Sequence, residues 1–165
     1  MEEQVKVKVQ PLTPEAFKPY GEVVELGLTA YPEFEPVENM GRMAVQIVRM
    51  QRSGGEVEEM ATHFAYTQPI FALSGSLLVV VAPAPRRLPQ MKDAEIDYAR
   101  AAAFEVKPGQ GVCLGKGVWH YIGGLHDKAD MIHMTRRDPA RQFEDTFADF
   151  VNFKQRDGRV IEVEP

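Results

Sequence analysis

The stretch QPIFALSGSLLVVVA, residues 68–82, decides the fold. Two apolar runs, Gln68 to Leu73 and Ser76 to Val81, flank Ser74-Gly75, a break of the kind that joins paired strands in a hairpin. Val79-Val80-Val81 is β-branched and apolar, as a buried central strand requires. The same pattern continues on both sides. Met43 to Gln51 is strand-like. Phe104 to Val106, Gly111 to Leu114, Trp119 to Ile122 and Met131 to Thr135 are short strands set apart by Gly-rich turns. Val5 to Val9 alternates Val and Lys, the period of a half-buried strand.

Helical signals are few. Thr13 is a natural N-cap and Pro14 suits the first helical position, so one or two turns are expected before Tyr20-Gly21. Residues 27–40 read as a loop. Residues 83–100 read as an excursion between strands, with a short helix near Ala94 to Ala103. Asp138-Pro139 opens a second helix, with Phe143, Phe147, Phe150 and Val151 on one face and Gly158 as its break. That face is expected to pack on the barrel or form part of a dimer seam. Val160 to Val163 then returns as an edge strand. The sum is a single all-β domain over residues 1–165, a barrel or sandwich with one or two peripheral helices.

Composition narrows the function. The 165 residues include 19 Lys plus Arg against 24 Asp plus Glu, a formal charge of −5. That balance argues against a nucleic-acid or anionic-membrane binder. A single cysteine, Cys113, excludes an internal disulfide and a thiolate metal cluster; it sits in an apolar strand and reads as packing. The N-terminus lacks the apolar stretch of a signal peptide, and the longest apolar run, Leu77 to Ala82, is far short of a membrane span. A soluble, cytoplasmic protein acting on a small molecule is the expectation.

Four histidines are present, His63, His120, His126 and His133. Gly55, Ala61, His63, Gln68 and Gly75 form one spaced set. Gly109, Gly115, Gly117 and His120 form another. The two sets resemble the paired motifs of the cupins, Gly-x5-His-x-His-x(3–4)-Glu-x6-Gly and Gly-x5-Pro-x-Gly-x2-His-x3-Asn. Ala61, Gln68, Gly115 and Gly124 stand where those motifs carry His, Glu, Pro and Asn. Three segments narrow the resemblance: Pro11 to Val23, His63 through Gln68 to Ala82, and Gly117-Val118-Trp119-His120. In this order they resemble the ureidoglycolate lyases. The resemblance implies a cupin-like antiparallel β-barrel with a short N-terminal and a C-terminal helix, a homodimer, and release of urea from ureidoglycolate to give glyoxylate in allantoin catabolism. The Glu-Arg-His-Pro common in that family reads Ala61-Thr62-His63-Phe64 here.

The chemistry asks for a proton acceptor at the hydroxyl, a proton donor at the leaving nitrogen and a clamp on the carboxylate. His63 and His120 suit the proton transfers, and Gln68 can bond the urea amide or the hydroxyl. Arg49 and Lys116, then Arg136, are the candidate carboxylate partners. His63, Gln68 and His120 also make a weak candidate metal set, suited at most to a labile Ni²⁺, Mn²⁺ or Zn²⁺. Trp119 reads as a core or rim residue and His126, beside Asp127, as exposed. Two rival readings share the barrel: another cupin enzyme on a small carboxylate, an isomerase or metal-dependent oxygenase, and a non-catalytic binding module.

Overall fold

The computed structural model describes residues 3–28, 42–64, 66–86, 94–137 and 150–165. Its elements run β1 (Glu3–Pro11), α1 (Pro14–Phe17), β2 (Gly21–Glu25), β3 (Arg42–Met50), β4 (Glu56–Val57), β5 (Glu59–Ala61), β6 (Gln68–Ser74) and β7 (Leu77–Ala82). After a 3₁₀ turn at Tyr98–Arg100 come β8 (Ala102–Val106), β9 (Gln110–Leu114), β10 (Trp119–Gly124), β11 (Ala129–Arg137), β12 (Phe150–Asn152), α2 (Phe153–Asp157) and β13 (Arg159–Glu164). Two curled sheets face each other as a cupin-like barrel. One has the order β12-β5-β10-β7-β8-β1-β13-β4, the other β2-β9-β6-β11-β3.

Local chemistry sets several boundaries. The Thr13 hydroxyl accepts from the Ala16 N–H, and Pro14 opens α1 as expected. The Val-Lys alternation of β1 sends Val7 into a core cluster, while Lys6 meets Glu164 across the strand pair. Gly158, at φ +67°, ends α2 in the left-handed conformation.

The core has two layers. Ile70, Ala72, Val112 and Leu114 of the five-stranded sheet meet Leu77, Val79, Val81, Phe104 and Val106 of the other sheet inside the barrel. The outer face of the larger sheet buries Leu78, Val80, Trp119, Met60, Ile96 and Phe153 in a second cluster. Strand β7 feeds both layers and is buried along its whole length. Trp119 is in this outer cluster, its indole N–H donating to the Glu95 carbonyl.

Several expectations need correction. β6 and β7 are not a hairpin pair. β7 is flanked by β10 and β8, so no edge remains for β6, which pairs with β9 and β11 in the facing sheet. Ser74-Gly75 is therefore a corner between sheets; Gly75 has φ +67°, and a Cβ there would lie 2.9 Å from the Lys128 carbonyl oxygen. The helix expected near Ala94 to Ala103 is only the 3₁₀ turn, and Ala102 and Ala103 already belong to β8. β13 is not an edge strand but lies between β1 and β4. The barrel is not wholly antiparallel, because β1 runs parallel to both β13 and β8. Of the second helix, Asp138, Phe143 and Phe147 lie outside the described residues. Phe150 and Val151 are in β12, paired to β5, and the helix begins at Phe153 behind an Asn152 cap. Most of the loop at 27–40 also lies outside the described residues. Among those residues no helix is long and apolar enough to cross a membrane.

Candidate active site

Strand alternation builds the site. On β10, His120 lies opposite Val81 of β7 and Ala61 of β5, so its ring faces the barrel interior with them. Only 5% of it is exposed. Its Nδ1 lies 3.1 Å from the Val118 carbonyl oxygen. A carbonyl only accepts, so Nδ1 carries the hydrogen and Nε2 keeps the lone pair. Burial, then the neighbouring His63 ring, pushes its pKa down to about 3, so the ring stays neutral at physiological pH.

His63 follows β5 and is half-buried. Gly117, at φ +76° in the turn before β10, donates its N–H to the His63 carbonyl at 2.7 Å. This bond ties the two motif segments together. The His63 and His120 ring centroids are 5.1 Å apart, with planes at 50°. Tyr66 stacks on the His63 imidazole at 4.7 Å and 19°. Its hydroxyl lies 3.1 Å from the Thr135 Oγ1 of β11.

Gln68 opens β6 opposite Leu114, an interior residue, and is 5% exposed. Its Oε1 is buried with no hydrogen-bond partner among the described residues. A buried carbonyl oxygen in that condition calls for a donor from a ligand or water. His133 sits on β11 opposite Ile70 and Gln46, with Nε2 3.1 Å from the Gln46 Oε1. Burial and His63 lower its pKa as well. Exposure falls from Gln46 at the surface, through half-buried His133 and His63, to buried His120. This polar end caps an otherwise hydrocarbon interior.

The three cations fare differently. Lys116 is half-buried in the turn that holds His63 through Gly117. Arg49 is not brought to the two histidines. It projects from the outer face of β3, the face of exposed Val45 and Ile47, and its Nε and Nη2 donate to both Asp130 oxygens at 2.7 and 2.9 Å. Arg136 lies opposite Met43 in β11, and its side chain lies outside the described residues. Tyr66, Thr135 and Gln46 were not singled out by the sequence. Tyr66 lies between His63 and Gln68, and that adjacency is the one signal that points to it.

The residues fit a divalent ion poorly. The donors that converge among the described residues are imidazoles and one amide, without a carboxylate. Across the strand pair from His120, where a further ligand would have to project, stands the methyl group of Ala61. No group of three or more His, Cys, Asp or Glu among the described residues is close enough to hold a metal.

A family model described as ureidoglycolate lyase matches residues 33–149. The chain belongs to this family. A ureidoglycolate lyase of Brucella ovis is 31% identical over 157 residues, covering 84% of this chain and 88% of its own length. One from Burkholderia mallei is 29% identical over 153 residues, covering 82% and 85%. Among solved structures, a Bacillus subtilis oxalate decarboxylase aligns with TM-score 0.44 and 15% identity over 88% of this chain and 30% of its own. The hydroxypropylphosphonic acid epoxidase of S. wedmorenis aligns with TM-score 0.43 and 11% identity over 56% and 42%. Within the ureidoglycolate lyase family match lie all the residues that converge at the polar end of this barrel, from Gln46 to Thr135.

Proposed function

We propose that the protein is a lyase that splits ureidoglycolate into urea and glyoxylate at the polar end of the barrel. The observation that carries this reading is the convergence of His63 and His120 on one interior face, in a chain of the ureidoglycolate lyase family.

The reaction needs no redox change. A base takes the hydroxyl proton, the oxygen lone pair forms the aldehyde C=O, and the C–N bond breaks with its electron pair leaving on nitrogen. That nitrogen then takes a proton, and urea departs. His120 resists charge because it is buried, so it serves as a fixed acceptor through Nε2 and orients the hydroxyl or ureido N–H. Half-buried His63, open to water on one side, is the shuttle that takes the proton and returns it to nitrogen. The unpartnered Gln68 Oε1 accepts from the ureido N–H, and Lys116 pairs with the carboxylate. No step runs through a metal.

The test is direct: purified protein is mixed with ureidoglycolate and glyoxylate is followed. Turnover above the spontaneous rate, changed less than about twofold by Ni²⁺, Mn²⁺ or Zn²⁺, is expected. Turnover only in the presence of an added ion would move the mechanism to a metal. A homodimer in the cytoplasm is part of the same proposal; light scattering tests the dimer, with twice 18.6 kDa the expected mass and a single 18.6 kDa species the contrary result.

A further inference from the structure

Tyr66 touches the site without an evident chemical task in it. It is 5% exposed. Its ring lies nearly parallel to the His63 imidazole at 4.7 Å, while its hydroxyl is held 3.1 Å from the Thr135 Oγ1 on β11. The His63 backbone is pinned by Gly117, and the Phe64 ring packs where a Gly117 side chain would lie. These contacts fix where the His63 ring is attached. The His120 ring meets the imidazole at 50°, and the near-parallel Tyr66 face, at 19°, bears directly on its plane.

We propose that Tyr66 is a positioning residue whose ring face sets the plane of the His63 imidazole. This rests on the lyase reading for its kinetic consequence but not for its structural one. A shuttle imidazole must present one nitrogen first to the hydroxyl proton and then to the leaving nitrogen. A ring free to turn spends little time in that geometry, and small misplacements of a reacting group lower rate rather than affinity. The ring face does the work, so the hydroxyl is secondary.

The test compares Tyr66→Phe, which keeps the ring, with Tyr66→Leu, which removes it. Tyr66→Phe is expected to hold kcat within about threefold, and Tyr66→Leu to lower kcat by about tenfold to a hundredfold with KM within about twofold. In NMR spectra of the full chain, with His63 assigned from His63→Gln, the His63 ring protons should lie upfield under the Tyr66 ring current. That shift should survive Tyr66→Phe and vanish in Tyr66→Leu. Circular dichroism checks folding, and Tyr66→Met replaces Tyr66→Leu if the latter does not fold. Unchanged kcat in the ringless variant, a Phe variant as slow as the ringless one, or unshifted His63 protons in the native chain would each overturn the proposal. Absence of lyase turnover in the native protein would remove the lyase reading alone, because the spectra still report on the ring.

Discussion

Burying a neutral histidine makes the fold sensitive to acid in a window that carboxylates do not share. The His120 pKa is pushed down to about 3 in the folded chain, against 6.5 ordinarily. Below 6.5 the unfolded chain takes up a proton that the folded chain refuses, so stability is complete above 6.5 and falls as pH falls toward 3. At pH 5 the unfolded imidazole is almost fully charged, and the loss relative to pH 7.5 is about 2 kcal/mol. Any folded value well below 5 gives nearly the same figure. His133, also lowered, adds in the same direction. Asp130 and Asp157, held below the usual carboxylate range by Arg49 and Arg156 respectively, lose their contribution only below about pH 4. Urea denaturation at pH 7.5, 6.5, 5.8 and 5 measures the slope. His120→Asn, whose amide N–H can still reach the Val118 carbonyl, should lose most of it. A flat profile from 7.5 to 5, or an equal slope in the Asn variant, would refute the claim that His120 is buried and neutral.

His63→Gln should lower kcat by about 10²- to 10⁴-fold if His63 carries the proton, read from glyoxylate production. Lys116→Ala should raise KM by about tenfold, with partial recovery in Lys116→Arg, if Lys116 holds the carboxylate. Arg49→Ala should leave kcat and KM within about twofold, because its guanidinium is spent on Asp130 at the outer surface. Gly75→Ala should destabilise the fold by about 1–3 kcal/mol in denaturant titration, because the corner holds a left-handed backbone against the Lys128 carbonyl.

What the sequence made legible was local. The Val-Lys alternation of β1, the Thr13-Pro14 start of α1 and the Gly158 stop each act over a few residues, and each appears where expected. Strand partners are set by the whole barrel. A turn like Ser74-Gly75 has the same composition whether it closes a hairpin or crosses between sheets, and β10 and β8 decided the matter by taking both edges of β7. Phe150 and Val151 fit a helical stripe, yet pairing with β5 drew them into a strand. The site divides the same way. His63 and His120 were visible through glycine spacing, since the Gly117 turn that positions them is itself local. The Tyr66–Thr135 pair was not, because its members are 69 positions apart and meet only when β11 pairs with β6. Arg49 had a clamp's chemistry, but register placed it beside Asp130 on the wrong face.

The nitrogen product of ureidoglycolate turnover reports on the central account more directly than any variant does. A His63 imidazole that moves one proton from oxygen to nitrogen, beside a neutral His120, consumes no water and releases the ureido group whole. Urea and glyoxylate should therefore appear in equal amounts at equal rates. Ammonia as the nitrogen product, or glyoxylate formation no faster than without protein, would contradict it.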